Sequence, residues 1–180
     1  MKFLMSILIS LTFISASANA TEVDLKNSTF KWTGTKVSGS HFGKVKLKSA
    51  TLDEKKGHIN SGEFVMDMNS ISCDDLQGEW MDKLIGHLKN DDFFGVDKHP
   101  TATLKVKHGM MGKMDAELTV KGVTQPVSFR YKQDGKKYTG TLKFDRTKFG
   151  IKYGSGSFFD NLGDKMIHDD VTVDFVVVTK

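Results

Sequence analysis

Any chemistry along this chain would have to come from a small set of residues: six histidines, a single cysteine, the Asp91-Asp92 pair and Arg146. The histidines are His41, His58, His87, His99, His108 and His168. None stands in the H-x-H, H-x3-H or H-E-x-x-H spacing that puts two imidazoles on one metal. His41, His87 and His99 read instead as hydrogen-bonding residues of turns and loops. Cys73 alone forms no intramolecular disulfide and no multi-cysteine metal site. With a histidine beside it, it could serve as a nucleophile, but its place after a strand end suits a small, partly buried residue. Tyr153-Gly154-Ser155-Gly156-Ser157 is glycine-rich, yet lacks the following Lys-Ser/Thr and the strand-to-helix setting of a phosphate cradle. The expectation is no catalytic residue, no metal and no cofactor.

The elements that position these residues are mostly strands. Phe30 and Trp32 share one face of an alternating segment, and Lys44 to Leu52 alternates again before the hairpin signal Asp53 to Gly57. His58 to Met68 returns with Phe64, Met66 and Met68 on one side. Ala116, Leu118 and Val120 share a face, as do Tyr138, Gly140, Leu142 and Phe144. Gly122 to Pro126 reads as a tight connection into Val127 to Tyr131. Val171, Val173, Phe175 and Val177 mark a final, strongly apolar strand.

The exception lies between Ser70 and Pro100. Leu76, Trp80, Leu84 and Leu88 recur at helical spacing after Asp74 or Asp75 as cap, and Asn90-Asp91-Asp92 ends the helix before Phe93-Phe94. Asp145 to Gly163 is irregular, glycine-rich and aromatic, and reads as a functional or lid-like loop. Seven to eight strands at this spacing with one helical insert predict an all-β sandwich or barrel, and about eight antiparallel strands enclose either packed side chains or one small ligand.

Residues 1–20 have the form of a secretory signal, with Lys2, an apolar run and Ala18-Asn19-Ala20 as cleavage site. That leaves 21–180 as one domain, soluble in the periplasm or secreted beyond it. The formal net charge is +4, or +3 without Lys2. It is carried by lysines alternating with apolar residues, as on a solvated strand face, which argues against a nucleic-acid surface. A weak, transient attraction to anionic membrane surfaces is compatible with it.

Five stretches carry a family resemblance: VSGSHFGKVKLKSATL (37–52), MDMNSI (66–71), HLKNDDFFGVDKHPTATL (87–104), LTVKGVTQPVSF (118–129) and DRTKFGI (145–151). In this order they resemble the YceI-like family of periplasmic lipid-binding proteins. The resemblance implies an extended lipocalin-like antiparallel β-barrel, often a homodimer, whose tunnel holds a polyisoprenoid such as a quinone or its precursor. Candidates for the ligand contacts are then Phe30, Trp32, Phe64, Leu84, Phe93, Phe94, Leu118, Phe129, Phe144, Phe149 and Phe175. The methionines Met66, Met68, Met81, Met110, Met111, Met114 and Met166 would supply a soft wall. Arg146 either closes the barrel end by pairing with Asp145 or Asp92, or hydrogen-bonds a ligand head group at the mouth. The expected function is binding, storage or transport of an isoprenoid or similar long-chain lipid without turnover. The alternatives are an enzyme acting on such a substrate through Arg146, His87, His99 or Asp91-Asp92, and a structural or stress protein whose barrel is filled.

Overall fold

The computed structural model describes residues 20–180, so the signal segment read from 1–20 lies, Ala20 apart, outside the described residues. The strands are β1 (Ala20–Thr21), β2 (Thr29–Lys36), β3 (Gly39–Lys55), β4 (His58–Asp67), β5 (Thr101–Met110), β6 (Lys113–Val120), β7 (Val123–Asp134), β8 (Lys137–Asp145) and β9 (Ile167–Val178), with one α-helix, α1 (Gly78–Lys89). From β2 to β9 each strand pairs antiparallel with the next, and β9 returns to β2, with Trp32 opposite Val173. This is the expected closed eight-stranded barrel with one helix; β1 lies outside it, paired with β3.

Two long strands make the corners. The first part of β3, to Val45, pairs with β2, and the rest, from Lys46, pairs with β4 through a register shift between Leu47 and Ser49. In β7, Val123 to Arg130 pairs with β6, and Tyr131 to Asp134 with β8. Pro126 is therefore a strand residue opposite Glu117, not part of a connection. It is tolerated because that stretch of β7 has a neighbour on one side only, so its missing N–H breaks no ladder. The turns Lys56-Gly57 and Met111-Gly112 have positive φ at both residues, the geometry that matches strand twist in two-residue hairpins.

The two barrel ends differ. One end carries the tight β3–β4, β5–β6 and β7–β8 turns. The other carries both long connections, β4–β5 with α1 and β8–β9 with residues 146–166. We call them the hairpin end and the helical end.

Two expectations for the helix are corrected. Its N-cap is Gln77, without a side-chain cap bond. Asp75 instead accepts from the Phe42 backbone N–H at 2.8 Å and lies 2.7 Å from His41 Nδ1. Burial acts to raise the Asp75 pKa, but the Phe42 N–H and the His41 and Cys73 side chains outweigh it and hold the carboxyl below its ordinary value. Trp80 does not join the core stripe: it is 71% exposed, because the buried contacts of α1 lie in its second half, at Leu84, Ile85 and Leu88.

Candidate functional site

Alternation sends one face of every strand inward, and in this barrel the inward residues do not fill the space. A cavity of about 170 Å³ remains, lined almost wholly by apolar side chains. Phe30, Trp32, Phe64, Leu118, Phe129, Phe144 and Phe175 from the strands border it, with Phe93 and Phe94 from the segment after α1, and Arg146. Leu84 and Phe149 do not border it. Leu84 is half-buried against the core, and Phe149 is buried behind Phe144, their rings 5.4 Å apart edge to face. Met66, Met68 and Met114 belong to the wall, whereas Met110 and Met111 are exposed near the β5–β6 turn and take no part in it.

The wall is held by close backbone approach on one side. Segment 70–75 runs along β3: the Ser72 backbone N–H donates to the Lys44 carbonyl at 2.9 Å, and Asp74 N–H to the Phe42 carbonyl at 2.8 Å. Gly43 makes this possible, since a Cβ there would stand 1.8 Å from the Ser72 carbonyl oxygen. That oxygen accepts the Trp32 indole N–H at 2.9 Å. The only polar atom of the Trp32 side chain is thus satisfied, leaving its hydrocarbon for the cavity.

Arg146 is fully buried, and its N–H groups are all engaged. Nε donates to the His168 carbonyl at 3.1 Å, Nη1 to the Ile151 and Tyr153 carbonyls at 2.9 Å each, and Nη2 to the Ile167 carbonyl at 3.0 Å and Asp169 Oδ1 at 3.5 Å. A guanidinium has five N–H donors, so none is left for a ligand. The expected partners are corrected accordingly: the ion pair is with Asp169, not with Asp145 or Asp92. Asp145 caps the short 3-10 turn Arg146–Phe149 by accepting from Thr147 N–H at 2.9 Å. Burial pushes the guanidinium below its ordinary pKa, against the opposing pull of Asp169 and Asp145. The same arginine lies over the Phe93 ring, 5.7 Å from its centre, and so joins the two long connections. Residues 146–155 are therefore a stapled part of the barrel end rather than a free lid, with Ile151 and Ser155 fully buried. Tyr153, Phe158 and Phe159 are exposed.

At the hairpin end sits a polar cluster that the sequence reading missed. Tyr138, buried, donates its hydroxyl to Glu54 at 3.2 Å and accepts from Gln133 Nε2 at 2.9 Å. Burial, then the charge of Glu54 and the bond to it, push the Tyr138 pKa well above its ordinary value. Tyr138 shares its face with Leu142 and Phe144, a parity that marked it as inward but gave no hint of Glu54. His87 was expected to hydrogen-bond in a loop. It lies on α1 instead, and its Nε2 is buried with no hydrogen-bond partner. Among the described residues no three His, Cys, Asp or Glu side chains gather in a metal-binding group, and no helix is long and apolar enough to cross a membrane.

A closed antiparallel barrel around an apolar cavity, capped at one end by a helix, defines a lipocalin-like class of binding scaffold. Within that class the chain belongs to the YceI family: residues 17–179 match the YceI-like domain. It is similar to a UPF0312 protein of Pseudomonas aeruginosa, 30% identical over 122 residues, a match covering 60% of this chain and 61% of that protein. The chain thus spans about three fifths of the length of this relative. Among solved structures it is similar to Burkholderia cenocepacia BcnA, with TM-score 0.67 and 22% identity over 88% of this chain and 100% of that one. A polyisoprenoid binding domain from Saccharophagus degradans, implicated in plant cell wall breakdown, gives TM-score 0.62 and 15% identity over 90% of this chain and 98% of that one. At these identities the likeness to the solved structures shows the fold.

Proposed function

We propose that the barrel interior binds a long-chain apolar lipid of isoprenoid type and that the protein carries or stores it without turnover. The observation that carries this reading is the apolar cavity enclosed along the strands, bordered by Phe30, Trp32, Phe64, Phe129 and Phe175. The polyisoprenoid-binding neighbour from Saccharophagus degradans supports the same ligand class. Each buried methylene contributes about 0.8 kcal/mol, so such a ligand needs little polar recognition. The signal-like segment ending at Ala18-Asn19-Ala20 supports a periplasmic place of work, where the exposed Trp80, Tyr153, Phe158 and Phe159 could meet a membrane surface during loading.

Size favours weighing a second reading. A dry cavity of about 150 Å³ accepts a single benzene ring, and the one here is of about 170 Å³. A chain of several isoprene units fits only if the walls give way, for which Met66, Met68 and Met114 are suited. A structural protein with a nearly filled barrel would have no such need. Trp80→Phe leaves Trp32 in the wall as the only tryptophan. Titrating that variant with farnesol is expected to change the Trp32 emission saturably, and Ala102→Phe, which fills the cavity, is expected to weaken the response at least about tenfold, or about 1.4 kcal/mol. No saturable change would favour the filled barrel.

A further inference from the structure

Orphaned polar groups inside a protein are rare, because leaving a buried donor or acceptor unmet forfeits its hydration. Among the described residues, His87 Nε2 is the buried side-chain nitrogen or oxygen left without a partner. Its ring is wedged between Phe93, at 5.5 Å, and Tyr153, at 4.3 Å. Phe93 and the next residue on α1, Leu88, both border the cavity. The unmet nitrogen is thus one aromatic ring behind the cavity wall, at the helical end.

We infer that the helical end receives the polar end of the ligand: with the Phe93 ring turned aside, His87 hydrogen-bonds the oxygen of an uncharged hydroxyl or carbonyl head group, while the tail runs toward the hairpin end. This rests on the lipid-binding reading and adds an orientation and a head-group class. Of the other polar side chains bordering the cavity, Arg146, His168 and Tyr138 are already matched, whereas the Tyr131 hydroxyl makes no side-chain hydrogen bond among the described residues and is not a fully buried unmet atom. Arg146 spends its N–H groups on four carbonyls and Asp169, and His168 Nδ1 lies 2.8 Å from Thr35 Oγ1. At the far end Tyr138 is satisfied by Glu54 and Gln133. A phosphate head would need an unspent cation, and the buried arginine is neutralised by Asp169. A neutral imidazole nitrogen either accepts or donates one hydrogen bond according to its tautomer, which suits a hydroxyl or a carbonyl.

The test compares farnesol with farnesene, the same class of chain without the oxygen, by equilibrium binding to the wild-type protein, His87→Phe and His87→Gln. The Phe variant keeps a ring between Phe93 and Tyr153 and removes the nitrogen. The Gln variant restores a polar group. The farnesol-to-farnesene affinity ratio is expected to fall about tenfold in His87→Phe, with farnesene binding unchanged, and to recover in His87→Gln. An unchanged ratio in His87→Phe overturns the inference while leaving the lipid-binding reading intact. Failure of the wild-type protein to bind either compound overturns that reading and this inference with it.

Discussion

The two ends of the barrel solve the same problem, closing a sheet over an apolar interior, by different means. At the hairpin end the closure is local: two-residue turns with positive φ bring adjacent strands back at once, and the polar contacts there, Tyr138 with Glu54 and Gln133, involve partly buried groups at the rim. At the helical end the tight β2–β3 and β6–β7 turns are joined by a closure that is long-range. Helix α1 and the segment after it come from one connection, and Arg146 stitches the other to β9 through the carbonyls of Ile151, Tyr153, Ile167 and His168. A closure built on one buried cation is strong while complete and fails as a unit, since four carbonyls and Asp169 depend on one side chain. The hairpin end has no such single dependency.

The largest effect should therefore come from Arg146. Replacing it by Ala is expected to cost about 3–5 kcal/mol of folding stability, since a buried pair is broken and its carbonyls are stranded, and Arg146→Lys should rescue little because lysine lacks the planar fork. Urea unfolding measures both. If Arg146→Ala destabilised no more than a hairpin-end substitution, the contrast between the ends would collapse. Next is Gly43→Ala, where the Cβ would meet the Ser72 carbonyl at 1.8 Å. A loss of roughly 1–3 kcal/mol is expected, with a shift of Trp32 emission as its Ser72 bond loosens. At the hairpin end Tyr138→Phe removes the bonds to Glu54 and Gln133, for a loss of about 1 kcal/mol.

The smallest effect, and the one that separates the ends most cleanly, is pH. Burial acts to raise the Asp169 pKa, but bonds from Ser155 and Ser157 and the charge of Arg146 outweigh it and hold the carboxyl below its ordinary value. The contribution of Asp169 is therefore complete above the unfolded value of about 3.9 and is lost as pH falls through the lower folded value. Tyr138 has the opposite sign. With its folded pKa raised by burial and Glu54, its contribution is complete below the unfolded value of about 10 and is lost as pH rises above it. Unfolding midpoints across pH should show an acid limb made shallower by Asp169→Asn and an alkaline limb made shallower by Tyr138→Phe. Exchange of these two assignments would refute the account of the ends.

What the sequence disclosed follows from the same division. Strand parity is a local property, so the inward faces of Phe30 and Trp32, of Leu142 and Phe144, and of Val171 to Val177 were legible, and they border the cavity. Leu84 and Phe149 were apolar and correctly inward-tending, but periodicity does not tell a residue on the cavity from one packed behind it. Trp80 fitted the helical stripe and lies outside because burial begins only at Leu84 on α1. Gly43 against Ser72, Asp75 on β3, and Arg146 with Asp169 are encounters between segments far apart along the chain, and no spacing rule announces them. The orphaned nitrogen of His87 is likewise visible only once Phe93 and Tyr153 are packed against it.

The most direct test is what the protein holds when isolated from its native compartment without detergent. Organic extraction followed by mass spectrometry, beside a mock-purified control, should yield a long-chain isoprenoid-type lipid near one per barrel, and the Ala102→Phe variant should yield little. A clean extract from the wild-type protein, repeated after incubation with native membranes, would contradict the binding role and leave a barrel that is structural.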